Sequence, residues 1–115
     1  MSSDSPLVSS VVGETAVLQS QSYVNDKAAD ALAQECQKLA AEGIRHFIIN
    51  MQDTKMVNSI GIAVVIEMIE KAIENNGSFS FCCVSPTIAK TFQIMGLKQL
   101  AGIYQDESTA LASIE

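Results

Sequence analysis

The sequence predicts a single α/β domain built on a mixed sheet of about five strands with four helices. Three observations favour this fold class. Short apolar, β-branched runs alternate with longer stretches of helical periodicity, which is typical of parallel crossover units. The first two runs are separated only by Gly13-Glu14, which predicts an antiparallel hairpin. The chain has 115 residues, 48% hydrophobic and 17% charged, a globular composition with room for one core.

The N-terminal part is predicted to be a hairpin followed by a helix. Residues 1–6 are expected to be a flexible lead-in, and residues 7–115 to form the domain. Residues 7–12 and 15–20 suit strands, residues 21–24 a loop, and Asn25-Asp26 a helix cap. The helix has an apolar face, and Gly43 stands where a left-handed residue would end it. That face comprises Ala28, Leu32, Cys36 and Leu39, with Ala31 and Ala40 beside them.

The central part is predicted to be a buried strand, a loop and a long helix. Residues 45–51 are predicted to form the strand, with an apolar run at residues 47–51. Residues 53–61 connect this strand to a helix over about residues 59–75. The helix is expected to bury a stripe of Ile62, Val65, Ile66, Ile69 and Ile73. Asn75-Asn76-Gly77 is a stop signal. This places Asn58-Ser59 where the long helix begins.

The C-terminal part is predicted to be strand, helix, strand, helix, which completes the order β-β-α-β-α-β-α-β-α. Residues 78–84 alternate as a strand, and Ser85-Pro86 opens a helix. The inner stripe of that helix is expected to be Ile88, Phe92 and Met95, with Gly96-Leu97 closing it. Residues 100–104 suit a short edge strand. Residues 106–114 suit a last helix capped by Asp106, with Ala110, Leu111 and Ile114 facing in.

Charge and composition exclude several classes of function. The formal net charge is −6 with only seven Lys and Arg, and no basic cluster is present, so a nucleic-acid partner is not expected. No apolar run is long enough to span a bilayer, and the polar start lacks a signal-peptide pattern. We therefore expect a cytoplasmic protein without a membrane partner. Its acidic charge favours binding to another protein that has a basic docking surface.

The three cysteines predict reduced thiols rather than a disulfide or a metal site. Cys36 lies on the helical stripe, and metal-ligand spacing is absent with His46 as the only histidine. Cys82 and Cys83 are adjacent in a predicted strand, where successive side chains point to opposite faces. No cofactor is expected.

The main candidate for a functional site is the loop before the long helix. Ser59 lies at the positive end of the helix dipole, close to free backbone N–H groups, which is a good place for a phosphate. The alternative is a purely structural role, in which Ser59 only caps the helix. A serine-hydrolase elbow is a remote alternative, because Val57 stands where the elbow needs glycine and His46 would have to be the base.

Residues 45–53 and 56–62 resemble the STAS domain of the anti-sigma-factor antagonist family. The family pattern is an apolar strand, an Asp, a few residues, and then Asp-Ser-Ser/Thr-Gly-Leu opening a long helix. The similarity runs from about Leu7 to Ile114 and includes Ser85-Pro86 and Met95-Gly96-Leu97. It implies a STAS-like fold and a binding module without catalysis.

The resemblance also implies a switch and its partners. In the family, an anti-sigma factor that is also a serine kinase phosphorylates the first Ser of the motif, and a PP2C-type phosphatase resets it. By position, Ser59 is the phosphoacceptor, and Gly61 is the glycine of the first helical turn. Asp53 matches the acidic residue at the strand end, with three roles open: orienting phosphotransfer, binding the magnesium of the partner's nucleotide, or bonding loop amides. Partner-binding candidates are Tyr23, Asn25, Met56, Ser85 and Met95.

The sequence departs from the family pattern near the phosphosite. Asn58 replaces the Asp before the Ser, which keeps a cap but loses a charge, and Ile60 replaces the second hydroxyl residue. The Gly-x-Leu/Ile-Asp signature after the second strand is missing, since residues 21–25 read Gln-Ser-Tyr-Val-Asn. The second functional hypothesis is a scaffold subunit of a signalling assembly that is never phosphorylated. Formation of a weak homodimer is also left open.

Overall fold

The strands of the computed structural model, which describes residues 7–114, occur in the order that the hydrophobic runs predict, with two short additions. The strands are β1 Leu7–Val12, β2 Thr15–Gln19, β3 Tyr23–Val24, β4 His46–Asn50, β5 Met56–Val57, β6 Ser78–Cys82 and β7 Gly102–Tyr104. The helices are α1 Asp26–Ala41, α2 Ser59–Glu74, α3 Pro86–Ile94 and α4 Glu107–Ala112, with a 3-10 turn at Leu97–Gln99. None of the helices within residues 7–114 has the length and apolarity needed to traverse a bilayer.

Five of the strands form one mixed sheet in the order β1-β2-β4-β6-β7. The β1–β2 pair is antiparallel, and the β2–β4, β4–β6 and β6–β7 pairs are parallel. The predicted fold class, the opening hairpin and the edge position of the last strand are confirmed. Because β2, β4 and β6 run in the same direction, the segments that follow them emerge at the same edge of the sheet.

Helices cover both faces of the sheet. One face packs on α1, α2 and α3, and its core contains Phe47, Phe79, Phe81 and Phe92 with successive ring centroids 5.0–6.0 Å apart. On the other face, Ala110 of α4 packs with Val17, Ile48 and Cys82. Burial on both faces explains why the central strand, which includes Ile48 and Ile49, is a continuous apolar run.

The predicted helix signals act as caps. The side chains of Asn25, Asn58, Ser85 and Asp106 accept from the backbone N–H three residues ahead, at 2.9, 2.7, 3.2 and 2.8 Å respectively. Gly43, with φ of +102°, follows the end of α1 in the left-handed conformation expected there.

Two side chains expected in the core are exposed. Ile73 is 49% exposed because the last turn of α2 borders an open groove of about 310 Å³ that also includes Leu100. Met95 is 47% exposed because α3 ends at Ile94, which leaves Met95 outside the helical stripe. Leu97, fully buried in the following 3-10 turn, takes the core position instead.

The end of β6 also differs from the prediction. The strand ends at Cys82, and Cys83 has φ of +59°. This left-handed residue turns the Cys83 side chain back towards the cluster that contains Cys82. The expectation that the two thiols point to opposite faces is therefore wrong. Within residues 7–114 the three thiols are free, and Cys36 and Cys82 are buried.

Candidate functional site

The candidate site lies beyond the carboxyl ends of β2 and β4, where α2 begins. The two segments expected to be loops, 21–24 and 53–61, contain β3 and β5, which pair in parallel with Tyr23 opposite Met56 and Val24 opposite Val57. We call this pair the ribbon. Two-residue strands are too short to show an alternating pattern, so the sequence analysis missed the ribbon.

Thr54 fixes the loop that leads from β4 to the ribbon. Its side chain is only 3% exposed, and its hydroxyl donates to the Gln21 carbonyl at 2.7 Å. The Thr54 hydroxyl also forms a short hydrogen bond with the Ser20 hydroxyl. Next to these contacts, the Lys55 N–H donates to the Ser22 carbonyl at 2.7 Å. Sequence analysis did not single out Thr54, because a threonine in a polar loop carries no signal that it is buried.

Asp53 lies beside this anchor on the exposed surface. Its Oδ2 accepts a hydrogen bond from the Gln19 side-chain amide at 2.8 Å, across the end of β2. Of the three roles left open for Asp53, bonding to loop amides is not found among the hydrogen bonds within residues 7–114. Asp53 instead joins the start of the loop to the neighbouring strand.

Gly61 allows the ribbon to contact the first turn of α2. A Cβ atom at position 61 would lie 2.5 Å from the Val24 carbonyl oxygen, closer than any real contact of this kind. The same carbonyl accepts from the Asn58 N–H at 3.0 Å. Glycine is therefore required by the close approach of two backbone segments that are distant in the sequence.

Asn58, rather than Ser59, caps α2. The Asn58 Oδ1 accepts from the Gly61 N–H at 2.7 Å, and its Nδ2 donates to the Tyr23 hydroxyl at 3.5 Å. Ser59 is the first helical residue, its side chain is exposed, and its hydroxyl has no hydrogen bond within residues 7–114. The hypothesis that Ser59 serves only as the helix cap is therefore wrong.

Three large apolar side chains are exposed around Ser59. Tyr23 is 44% exposed, Met56 58% and Ile60 57%. Tyr23 and Met56 are paired across the ribbon, Tyr23 contacts the cap residue, and Ile60 directly follows Ser59. We call Tyr23, Met56, Ser59 and Ile60 the Ser59 patch. An apolar surface of this kind around a free hydroxyl is suited to contact with another protein.

The N-terminus of α2 lacks a carboxylate in its first turn. In contrast, α1 has Asp26 there and α4 has Glu107. The positive end of the α2 dipole is therefore not compensated by a side-chain charge. A negative group attached at Ser59 would stabilise this helix end.

The remaining partner-binding candidates, Asn25, Ser85 and Met95, lie at different distances from Ser59. Asn25 is half-buried and caps α1 next to the ribbon. Ser85 caps α3 at the edge of the sheet from which β6 emerges, the same edge as Ser59. Met95 follows the end of α3, which runs back along the sheet, so it lies at the opposite edge. The structure thus groups Tyr23 and Met56 with Ser59, but not Met95.

The geometry is incompatible with a serine hydrolase that uses His46. This histidine is the first residue of β4, and its Nδ1 is 2.9 Å from the Ser78 hydroxyl. Ser59 lies beyond the other end of the same five-residue strand. Such a strand is about 13 Å long, too far for direct proton transfer between the two side chains.

Comparisons with known proteins agree with this architecture. Residues 7–110 match the family model of the STAS domain. The chain is 23% identical over 70 residues to the anti-sigma F factor antagonist of Paenibacillus polymyxa, an alignment that covers 61% of this chain. It spans 60% of that relative's length, less than two thirds.

Two solved structures share the fold over nearly the whole chain. The phosphorylated form of SpoIIAA, a cell-fate determinant of Bacillus, superposes with a TM-score of 0.76 at 19% identity, covering 96% of this chain and 100% of that chain. An anti-sigma factor antagonist from Mycobacterium paratuberculosis superposes with a TM-score of 0.80 at 20% identity, covering 96% and 95%. Both superpositions therefore show that this chain shares its fold with these two structures.

Proposed function

Because the chain belongs to the STAS domain family, we propose that it is a phosphorylation-controlled binding module that acts as an anti-sigma-factor antagonist. The family consists of regulatory binding modules rather than enzymes. In this proposal the unmodified domain binds an anti-sigma factor that is also a serine kinase, in the cytoplasm. The kinase phosphorylates Ser59, and a PP2C-type phosphatase removes the phosphate. The observation that carries the proposal is the exposed, unbonded Ser59 hydroxyl inside an apolar patch.

Phosphorylation of Ser59 would oppose docking through the cost of desolvating the phosphate. A phosphoserine carries nearly two negative charges at neutral pH and three strong acceptor oxygens. Burying these beneath a partner that contacts Met56 and Ile60 would cost the hydration of the phosphate. Phosphorylation is therefore expected to prevent the Ser59 patch from forming a water-free contact with the partner.

The same phosphate should leave the fold intact. The first turn of α2 has no acidic side chain, so a phosphate at Ser59 would be the first negative charge at the positive end of the helix. The cap is made by Asn58 and does not involve the Ser59 hydroxyl. Modification therefore changes the surface without removing a hydrogen bond of the domain.

The proposal is tested by measuring affinity for anti-sigma-factor kinases of the same host by calorimetry. We expect Ser59→Ala to bind like the wild-type protein, and Ser59→Asp to weaken binding by about tenfold or more. The melting temperature of Ser59→Asp should stay nearly unchanged.

The chain offers a matched control in Ser108, an exposed serine in the first turn of α4. Ser108→Asp adds the same charge at a different helix N-terminus, so it should leave binding unchanged. Equal binding by Ser59→Asp and the wild-type protein would contradict the proposal.

A further inference from the structure

The end of β6 brings two thiols together. Cys83 is one of two non-glycine residues at positive φ in the described part of the chain, the other being Asn76. Its φ of +59° directs its side chain towards the apolar cluster of Val17, Ile48 and Ala110, which also contains the Cys82 side chain. Regular strand geometry would have placed them on opposite faces. A left-handed conformation at a residue with a side chain is costly, and such outliers cluster at active sites and switch regions.

The two thiols differ in access to solvent. Cys82 is fully buried, whereas Cys83 is half-buried at the end of the strand. Burial, followed by the neighbouring Cys83 thiol, raises the pKa of the Cys82 thiol to about 12. Cys83 is therefore the sulfur that meets a solution reagent first, and Cys82 is the neighbour that can react with the product.

The peptide group between the two cysteines connects the sheet to the Ser59 loop. Its carbonyl, from Cys82, accepts from the Met51 N–H at 3.0 Å. Its N–H, from Cys83, donates to the Tyr104 carbonyl at 3.3 Å. Met51 is the first residue after β4, so it begins the segment that continues through Thr54 to Ser59. Any distortion of this peptide acts directly on the start of that segment.

We propose that Cys82 and Cys83 form a reversible oxidation site, at which a hydroperoxide converts the two adjacent thiols into a disulfide and loosens the loop that carries Ser59. In the first step the Cys83 thiolate attacks the peroxide, which gives a sulfenic acid and releases hydroxide or alkoxide. In the second step the Cys82 sulfur displaces water from that sulfenic acid and loses its proton. Overall, the two thiols lose two protons and two electrons, and the peroxide is reduced to two water molecules, or to water and an alcohol.

A disulfide between neighbouring residues is strained and hence easily reduced. Adjacent Cα atoms are about 3.8 Å apart, whereas disulfides usually join Cα atoms about 4.4–6.8 Å apart. Strained disulfides belong to the labile, regulatory class. The ring that closes contains the peptide that Met51 and Tyr104 bind, so closure must twist this peptide or its flanking dihedrals. Both hydrogen bonds are expected to weaken.

Mass spectrometry after mild hydrogen peroxide treatment tests the disulfide itself, which does not rest on the proposed function. We expect each chain to lose the mass of two hydrogen atoms, the 82–83 peptide to resist alkylation, and a dithiol reductant to reverse both effects. Cys83→Ser should not show this loss. Cys36→Ser is the matched control, because Cys36 is buried in the other core cluster, and it should behave like the wild-type protein. Oxygen addition at Cys83 without loss of hydrogen, or a disulfide between two chains, would overturn the assignment.

Amide hydrogen exchange tests the connection to the loop. In the oxidised protein the Met51 amide should exchange at least about tenfold faster, since its acceptor is the carbonyl inside the new ring. The amides of α1 serve as the internal reference and should not change. An oxidised protein with unchanged exchange at Met51 would refute the effect on the loop, and this outcome is independent of whether any partner binds Ser59.

Discussion

Replacing Gly61 by alanine tests the packing that presents Ser59. In an ordinary helix interior, Gly→Ala stabilises by about 0.5–1 kcal/mol, because alanine loses less backbone entropy on folding. At position 61 the new Cβ would lie 2.5 Å from the Val24 carbonyl oxygen, so the ribbon must move away from α2. Overpacking of this kind costs about 1–3 kcal/mol. The hydrogen bond from Asn58 to the same carbonyl is worth about 1 kcal/mol and would be weakened as well.

The balance predicts that Gly61→Ala is destabilising by about 2 kcal/mol, the opposite sign from a simple helix-propensity effect. For a domain of this size the melting temperature should fall by roughly 5–10 °C. Urea denaturation followed by circular dichroism measures the free energy directly. Ala63→Gly, at an exposed position in the same helix, is the control for propensity and should cost about 1 kcal/mol. A Gly61→Ala protein as stable as the wild type, or more stable, would refute the reasoning.

Three further predictions concern single side chains. Thr54→Val should destabilise the domain by about 1–3 kcal/mol in urea denaturation, because it removes the buried hydroxyl that donates to the Gln21 carbonyl, and unchanged stability would contradict this. Asn58→Ala should cost about 1 kcal/mol through loss of the α2 cap, whereas no measurable cost would mean that the cap contributes nothing. The hydrogen bond from the Thr109 N–H holds the pKa of Asp106 below its ordinary value of 3.8. The ionised Asp106 carboxylate therefore stabilises α4 above pH 3.8, and this stabilisation is lost as the pH falls through the lowered pKa. Asp106→Asn should keep the cap and abolish this acid dependence of α4 amide exchange; an unchanged profile would implicate another group.

The parts of the fold that depend on local chemistry were predictable from the sequence. The caps Asn25, Ser85 and Asp106 accept hydrogen bonds from the backbone N–H three residues ahead. The residue type and the apolar pattern that follows it were therefore sufficient to predict where these helices begin. The order of strands and helices along the chain followed from the alternation of apolar runs and helical periods. The exposed Met95 was missed because α3 ends one residue earlier than its apolar stripe suggests.

The architecture around Ser59 depends on contacts between residues distant in the sequence, and these were not predictable. The ribbon joins Tyr23 to Met56 in two-residue strands that have no detectable period. The requirement for Gly61 comes from the Val24 carbonyl, which no local pattern places there. The thiol pair depends on the left-handed backbone of Cys83, a residue whose type does not favour that conformation. Local sequence propensity was sufficient to predict the helices and strands, whereas the geometry around Ser59 depends on tertiary contacts.

The central claim is that Ser59 is the phosphoacceptor of a binding switch. Intact-mass and peptide mass spectrometry of the protein isolated from its native host, compared with Ser59→Ala, tests it most directly. We predict one phosphate on Ser59 in the wild-type protein and none in the variant. Unmodified Ser59 under every growth condition, in a protein found in a stable assembly without a kinase, would contradict the claim and favour a constitutive scaffold subunit.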